Sequence, residues 1–174
     1  LREKKASTRE FIHEALAIKE LLATHLVPLI INDRLDVAMA VDAEGVHLGQ
    51  KDMPLDVAQS IAGDRMLIGI SVESLEDAIA AAEGGADYLG VSPIYATPTK
   101  TDTAPALGLK GLEEIRRSVK TPLVAIGGLN VDNAGGVIRS GADGVAVVSA
   151  IVSAESPEHA ARQLKDVISK AKKK

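Results

Sequence analysis

Two aspartates pose the first chemical question. After the apolar run Leu29-Ile30-Ile31 comes Asn32-Asp33-Arg34, and after Val46-His47-Leu48 comes Gly49-Gln50-Lys51-Asp52. Two carboxylates at the ends of neighbouring strands, in oxygen-rich company, suit a hard cation such as Mg²⁺. Magnesium in turn points to a diphosphate. Ser71 closes the run Ile68-Gly69-Ile70, and Ser92 opens a long loop from Pro93 to Asp102 that carries several hydroxyls and Lys100. A lysine and hydroxyls there supply charge compensation for phosphate oxygens. The last two apolar runs end at Gly127-Gly128 and at Val148-Ser149. At such positions barrels build phosphate sites from backbone N–H groups and helix N-termini. Two phosphate positions imply two phosphorylated ligands.

Each residue also has an ordinary reading. Asn32-Asp33 and Asp52 are good helix N-caps, and Gly127-Gly128 is a good tight turn. His47 lies within an apolar strand and reads as a core or rim histidine rather than a base. His13, His25 and His159 are expected on solvent-facing helices, and Arg9, Arg34 and Arg117 read as surface charges without distinguishing neighbours. The joint placement of polar groups after successive apolar runs outweighs these separate readings.

The elements that must hold these groups follow a repeat of strand, loop and helix. Short runs at Val27 to Ile31, Gly45 to Leu48, Met66 to Ser71, Tyr88 to Val91, Leu123 to Ile126 and Gly144 to Val148 each precede a helical pattern. Phe11, Ala15, Ile18 and Leu22 share one helical face, as do Leu75, Ala78, Ile79 and Ala82. Ser74 with Asp77 reads as a capping box, and Asn130 as the cap of a helix from about Val131. Gly85-Ala86-Asp87 and Gly141-Ala142-Asp143 read as left-handed helix ends before parallel strands. Near-continuous apolar strands mean that both faces are covered.

The repeat predicts an α/β fold, a (β/α)8 TIM barrel, with active residues at the C-terminal ends of its strands. Six full strands and a fragment, Leu1 to Lys4, are present, where a closed barrel ordinarily needs ~200 residues or more. The expectation is therefore that the N-terminal first strand and helix are missing from the chain as given. A doubly wound open sheet is the runner-up, but no G-x-G-x-x-G turn follows an early strand.

Composition bounds the remaining classes. The chain has 174 residues, 46% of them hydrophobic, and residues 1-174 read as one domain. No cysteine is present, which removes disulfides and thiolate chemistry and fits a cytoplasmic protein. No apolar run reaches the ~18 residues a membrane helix needs, so no membrane partner is expected. With a net charge of −4, three aromatic residues and a single basic run at Lys170, Lys172, Lys173 and Lys174, nucleic acid is excluded as the expected partner. Oligomeric state is not legible.

The ordered set Leu1-Arg2-Glu3-Lys4, Ile31-Asn32-Asp33-Arg34, Gly45 to Met53 (G-V-H-L-G-Q-K-D-M), Gly90-Val91-Ser92-Pro93-Ile94-Tyr95, Thr97-Pro98-Thr99-Lys100 and Ala125-Ile126-Gly127-Gly128 resembles the thiamine phosphate synthase family over essentially the whole chain. The resemblance implies that Arg2, Lys4 and Asn32 hold a pyrimidine diphosphate, and that Asp33 and Asp52 ligate Mg²⁺. It implies that Ser71 and Lys100 touch the diphosphate as catalytic groups. Thr97 and Thr99 are implied to lie against a thiazole phosphate, whose phosphate meets Gly128 and the Val148-Ser149 turn. The implied reaction is dissociative and needs no protein nucleophile, in keeping with residues that offer charge stabilisation and positioning. The competing expectations are a thiazole tautomerase-like barrel without a metal and a non-catalytic barrel that binds a thiamine precursor. Asp33, Asp52 and Lys100 argue against the former.

Overall fold

The structure, a computed structural model, describes residues 1–96 and 105–173. The chain divides into two compact units, Leu1–Ser71 and Val72–Lys174.

The first unit begins with α1 (Thr8–Ala23), whose start is secured by a capping box. Ser7 Oγ accepts from the Glu10 N–H at 3.4 Å, and the Glu10 carboxylate accepts from the Ser7 N–H at 2.8 Å. A helix start leaves backbone N–H groups without intrahelical partners, and the box satisfies two N–H donors reciprocally. Next come β1 (Ile30–Asn32), α2 (Leu35–Ala40), β2 (Gly45–Leu48), α3 (Leu55–Ala62), a 3₁₀ turn (Gly63–Arg65) and β3 (Leu67–Val72). β1 pairs parallel to β2 with Ile31 opposite Val46, and β2 pairs parallel to β3 with Val46 opposite Ile68. Those three side chains are buried, with Phe11, Ala15 and Val37 from the helices. Leu1 adds ladder-type bonds at the outer side of β1: its amine donates to Ile30 O at 2.6 Å and its carbonyl accepts from Asn32 N at 2.9 Å. The strand expected at Leu1 to Lys4 is thus realised as a single paired residue.

The second unit contains α4 (Leu75–Glu83), β4 (Tyr88–Val91), α5 (Gly108–Ser118), β5 (Leu123–Ile126), α6 (Ala134–Arg139), β6 (Gly144–Ala146), α7 (Ser149–Val152) and α8 (Pro157–Lys172). β4 pairs parallel to β5 and β5 parallel to β6, with Leu89 opposite Leu123 and Ala125 opposite Val145. α6 packs on α8, and α4 on α5. Leu89, Val91, Leu112, Ile115 and Leu123 form the fully buried interior. Mostly apolar strands with helices between them give parallel α/β architecture in each unit.

Acidic residues lock the starts of strands. The Glu44 carboxylate accepts from Leu29 N at 2.7 Å, and Asp143 Oδ2 accepts from Leu123 N at 2.8 Å. Three expectations about ends need correcting. Arg34 and Pro54 occupy the cap positions of α2 and α3 without side-chain cap bonds, so neither Asn32-Asp33 nor Asp52 serves as a helix cap. The helix expected from Val131 begins at Ala134, and Asn130 instead accepts from Asp132 N at 2.9 Å within the preceding turn. Asp77 N donates to Ser74 Oγ at 3.0 Å, but the Asp77 carboxylate takes the Glu73 N–H at 3.1 Å, one residue before the cap. The shorter aspartate side chain closes on its neighbour where glutamate would reach the cap itself.

Candidate functional site

In the first unit the expected residues assemble at the ends of β1, β2 and β3. Asp33 stands just past β1 with φ 66°, a left-handed conformation that Asx residues tolerate and most others avoid. Its N–H donates to His47 O at 2.8 Å, which extends the β1–β2 ladder by one residue and fixes the backbone beneath the carboxylate. Lys4 Nζ pairs with Asp33 Oδ2, and Asn32 Nδ2 donates to Asp33 Oδ1 at 2.6 Å. Lys4 is half exposed whereas Asp33 is largely covered, so the ion pair closes over the carboxylate from the solvent side.

Asp52 reaches the same place by a tight turn. Its Oδ2 accepts from Gly49 N at 2.7 Å, and Asp52 N donates back to Gly49 O at 3.1 Å. The two carboxyl groups then interact with each other. Burial pushes the Asp33 carboxyl up, but hydrogen bonds from Lys4 and Asp52 and the charges of Lys4 and Arg2 outweigh it, leaving Asp33 below the ordinary aspartate range. Burial also raises Asp52; the Gly49 amide opposes this, while the hydrogen bond and charge of Asp33 add to it, and the net shift is upward. The two carboxyls lie within reach of each other, and their shifts run in opposite directions, Asp33 down and Asp52 up.

Ser71, next to last in β3, makes two contacts. His47 Nε2 lies 2.9 Å from Ser71 Oγ, and Gln50 Nε2 donates to Ser71 O at 2.6 Å. His47 is therefore a half-buried rim residue aimed at the serine. Reasoning from spacing left both His47 and Gln50 without a role, although each sits at the end of an apolar run where polar groups gather. Arg34, expected to lack neighbours, donates to Asp36 at 2.8 Å and to Thr8 Oγ1 at 2.9 Å, tying α2 to the start of α1. His25 lies in the turn after α1 rather than on a helix, while His13 and His159 are exposed helical residues as expected.

In the second unit the Gly127-Gly128 turn follows β5 with φ 103° and 65°. The segment after β4 lies along it: Ile94 N donates to Ile126 O at 3.0 Å and Tyr95 N to Gly127 O at 3.1 Å. A Cβ on Gly127 would fall 2.8 Å from Pro93 Cβ, and one on Gly128 would fall 2.8 Å from Ala96 O and from Tyr95 Cβ. Only glycine allows this backbone to carry positive φ and lie so close to its neighbour. The N–H groups of Gly128 and Leu129 donate to no acceptor among the described residues. Val148 occupies the cap position of α7, with Ser149 its first helical residue. The strand expected to run to Val148 ends at Ala146. Thr97, Thr99 and Lys100 lie outside the described residues.

A hard cation fits the donor set of the first unit. Mg²⁺ is commonly held by one or two carboxylates, the remaining ligands being phosphate oxygens and water. Asp33 and Asp52 supply two, and no cluster of three or more histidine, aspartate or glutamate side chains is present among the described residues. Asp52 is raised first by burial and then by Asp33 beside it, and a cation held by the two carboxylates would offset both.

Comparison with known proteins gives the chain its family. The thiamine-phosphate synthase of Albidiferax ferrireducens is 56% identical over 168 residues, covering 97% of this chain and 77% of that protein. That of Chloroflexus aurantiacus is 54% identical over 173 residues, covering 99% and 80%. Among solved structures, the thiamine phosphate pyrophosphorylase of Pyrococcus furiosus superposes with a TM-score of 0.91 at 43% identity, over 98% of this chain and 81% of that one. With residues 1–151 matching the family's sequence pattern, the chain belongs to the thiamine monophosphate synthase family.

Proposed function

We propose that the chain joins a hydroxymethylpyrimidine diphosphate to a hydroxyethylthiazole phosphate, forming thiamine phosphate and releasing diphosphate, within a (β/α)8 barrel. Family membership and the relatives' shared name make it an enzyme of thiamine phosphate synthesis. The observation that carries the finer reading is the knot of Lys4, Asn32, Asp33 and Asp52, a set of two carboxylates, an amide and an ammonium fitted to a metal diphosphate.

In this reading Arg2, Lys4 and Asn32 bind the diphosphate, and Asp33 and Asp52 hold Mg²⁺. When bound, the ion neutralises negative charge that accumulates on the departing diphosphate. Lys4, paired with Asp33 in this structure, would turn to the diphosphate oxygens when the aspartates hold the ion. The Ser71 hydroxyl, held by His47, donates to the same leaving group, and Lys100 adds a second positive charge there. The carbon–oxygen bond between the pyrimidine methylene and the diphosphate breaks, its electron pair leaving with the diphosphate. The thiazole nitrogen then forms the new carbon–nitrogen bond. No side chain acts as a nucleophile, and the protein's contribution is placement and charge. Gly128 and the Val148-Ser149 turn bind the thiazole phosphate through backbone amides, with Thr97 and Thr99 beside it. The small phosphorylated substrates, the absence of cysteine, and the lack of any helix long and apolar enough to cross a membrane among the described residues support a cytoplasmic setting.

The test is direct. The two phosphorylated precursors are mixed with the protein and Mg²⁺, and thiamine phosphate is followed by chromatography. Formation of thiamine phosphate with matching release of diphosphate is expected. Precursor binding without product marks a non-catalytic barrel, and proton exchange on the thiazole alone marks a tautomerase; either result defeats the reading.

A further inference from the structure

We infer that Asn133 is a positioning residue for the phosphate of the thiazole substrate, acting through the Gly128 peptide; the inference rests on the assignment of the Gly127-Gly128 turn to that phosphate. Asn133 sits at the cap position of α6, where an asparagine side chain ordinarily serves the helix's first N–H groups. Here it makes no cap bond and turns backward. Its Nδ2 donates to Gly128 O at 2.9 Å, and its Oδ1 accepts from Asn130 N at 2.9 Å. One amide therefore bridges both ends of the turn between β5 and α6. The turn is further closed by Asp132 N donating to Asn130 Oδ1 at 2.9 Å and Ala134 N to Asn130 O at 3.0 Å.

The consequence follows from peptide geometry. A trans peptide is planar and carries its C=O and N–H on opposite sides. With the Gly128 carbonyl turned to Asn133, the Leu129 N–H of the same peptide points the other way, and it has no acceptor among the described residues. Gly128 has a positive φ, and the space that a Cβ would fill is taken by Tyr95 and Ala96. Successive free N–H groups in a turn of this kind form an anion-binding concavity. Glycine holds no such orientation unaided, since it has the widest choice of backbone conformations. Asn133 supplies what the glycine lacks. An asparagine is required rather than an aspartate, because the bond to Gly128 needs a donor and the bond to Asn130 an acceptor.

Asn133→Asp and Asn133→Ala separate this role from a purely structural one. Aspartate keeps the acceptor and sets an oxygen against the Gly128 carbonyl; alanine removes both bonds. Initial rates are measured over a grid of both substrates, with inorganic phosphate as inhibitor and thermal midpoints recorded alongside. Losing one neutral hydrogen bond is expected to raise KM for the thiazole phosphate by about tenfold, and to weaken inhibition by phosphate as much, while KM for the pyrimidine diphosphate stays within about twofold. Unchanged KM values, equal increases for both substrates, or loss of the folded state in both variants overturn the inference. If phosphate fails to compete with the thiazole phosphate in the unsubstituted protein, the turn is not the phosphate site and the underlying assignment falls. If it competes equally in the parent and both variants, the assignment stands and the role of Asn133 falls.

Discussion

Burial raises both Asp33 and Asp52, but the Lys4 ammonium paired with Asp33 brings that carboxyl below its ordinary range, whereas at Asp52 burial and the neighbouring Asp33 prevail. This makes Asp52→Asn an informative change. The amide oxygen still accepts the Gly49 N–H, so the turn survives, and α3 loses nothing because its cap position belongs to Pro54. Removing one of two repelling charges leaves the metal-free protein no less stable than the parent. The Mg²⁺ concentration for half-maximal rate is expected to rise by about tenfold or more, as one hard anionic ligand is lost. Mg²⁺ titrations of parent and variant, with melting curves in chelator, measure both effects; a parent-like titration removes the metal role from Asp52. Ser71→Ala makes the complementary change. It takes away a hydroxyl that His47 holds at 2.9 Å, and is expected to lower kcat by roughly tenfold or more with no change in Mg²⁺ requirement. A variant as fast as the parent shows that the serine does not meet the leaving group.

Gly45–Leu48, Tyr88–Val91 and Leu123–Ile126 were legible residue for residue, because a short apolar run with both faces covered has few alternatives to a parallel strand. Val27 and Val148 were read into strands on apolar character alone, whereas both lie outside them, Val27 after the turn that follows α1 and Val148 in a bend before α7. The candidate site divides similarly. Its positions past successive strands were legible from the order of apolar and polar segments, but Asp33 as a cap and Asp33 as a ligand look alike locally. The partner that Asp33 takes, Lys4, is 29 residues away. The turn of Asn130 and Asn133 was unreadable for the same reason, since each asparagine has several local hydrogen-bonding choices. Helix-to-strand corners show what such distant partners contribute. Arg116 at the end of α5 donates to Thr121 O at 3.2 Å, to Val119 O, and to Asp143 Oδ2 at 3.0 Å, and that oxygen also takes Leu123 N. One guanidinium thus binds the loop before β5 to the residue before β6. Arg116→Met retains the aliphatic stem packed at Gly141 but strips the donors from two partly buried carbonyls. It is expected to cost about 1–3 kcal/mol in unfolding experiments while leaving both KM values unchanged. An unaltered denaturation midpoint shows that water replaces the guanidinium at no cost.

Every strand of the second unit except β6 has buried residues, while all three residues of β6 are half-exposed. β6 pairs with β5 on one side, and no strand lies on its other side among the described residues of the unit. Beyond it, Val148 is 50% exposed and Val152, on α7, 72%. A strand edge beside exposed valines is the arrangement that recruits another chain, because unpaired backbone groups and apolar surface are presented together. Natural edges are commonly protected by lysine, and none stands on β6 or α7. The chain is therefore expected to associate reversibly as its concentration rises. Val152→Lys puts a charge on the most exposed of these side chains without entering the Val148-Ser149 turn. Burying that charge between two copies is unfavourable, so the variant stays monomeric at concentrations where the parent does not. Light scattering on a dilution series, with KM for the thiazole phosphate as control, decides it. A parent that remains monomeric throughout, or a variant that associates equally, shows that this edge draws no second chain.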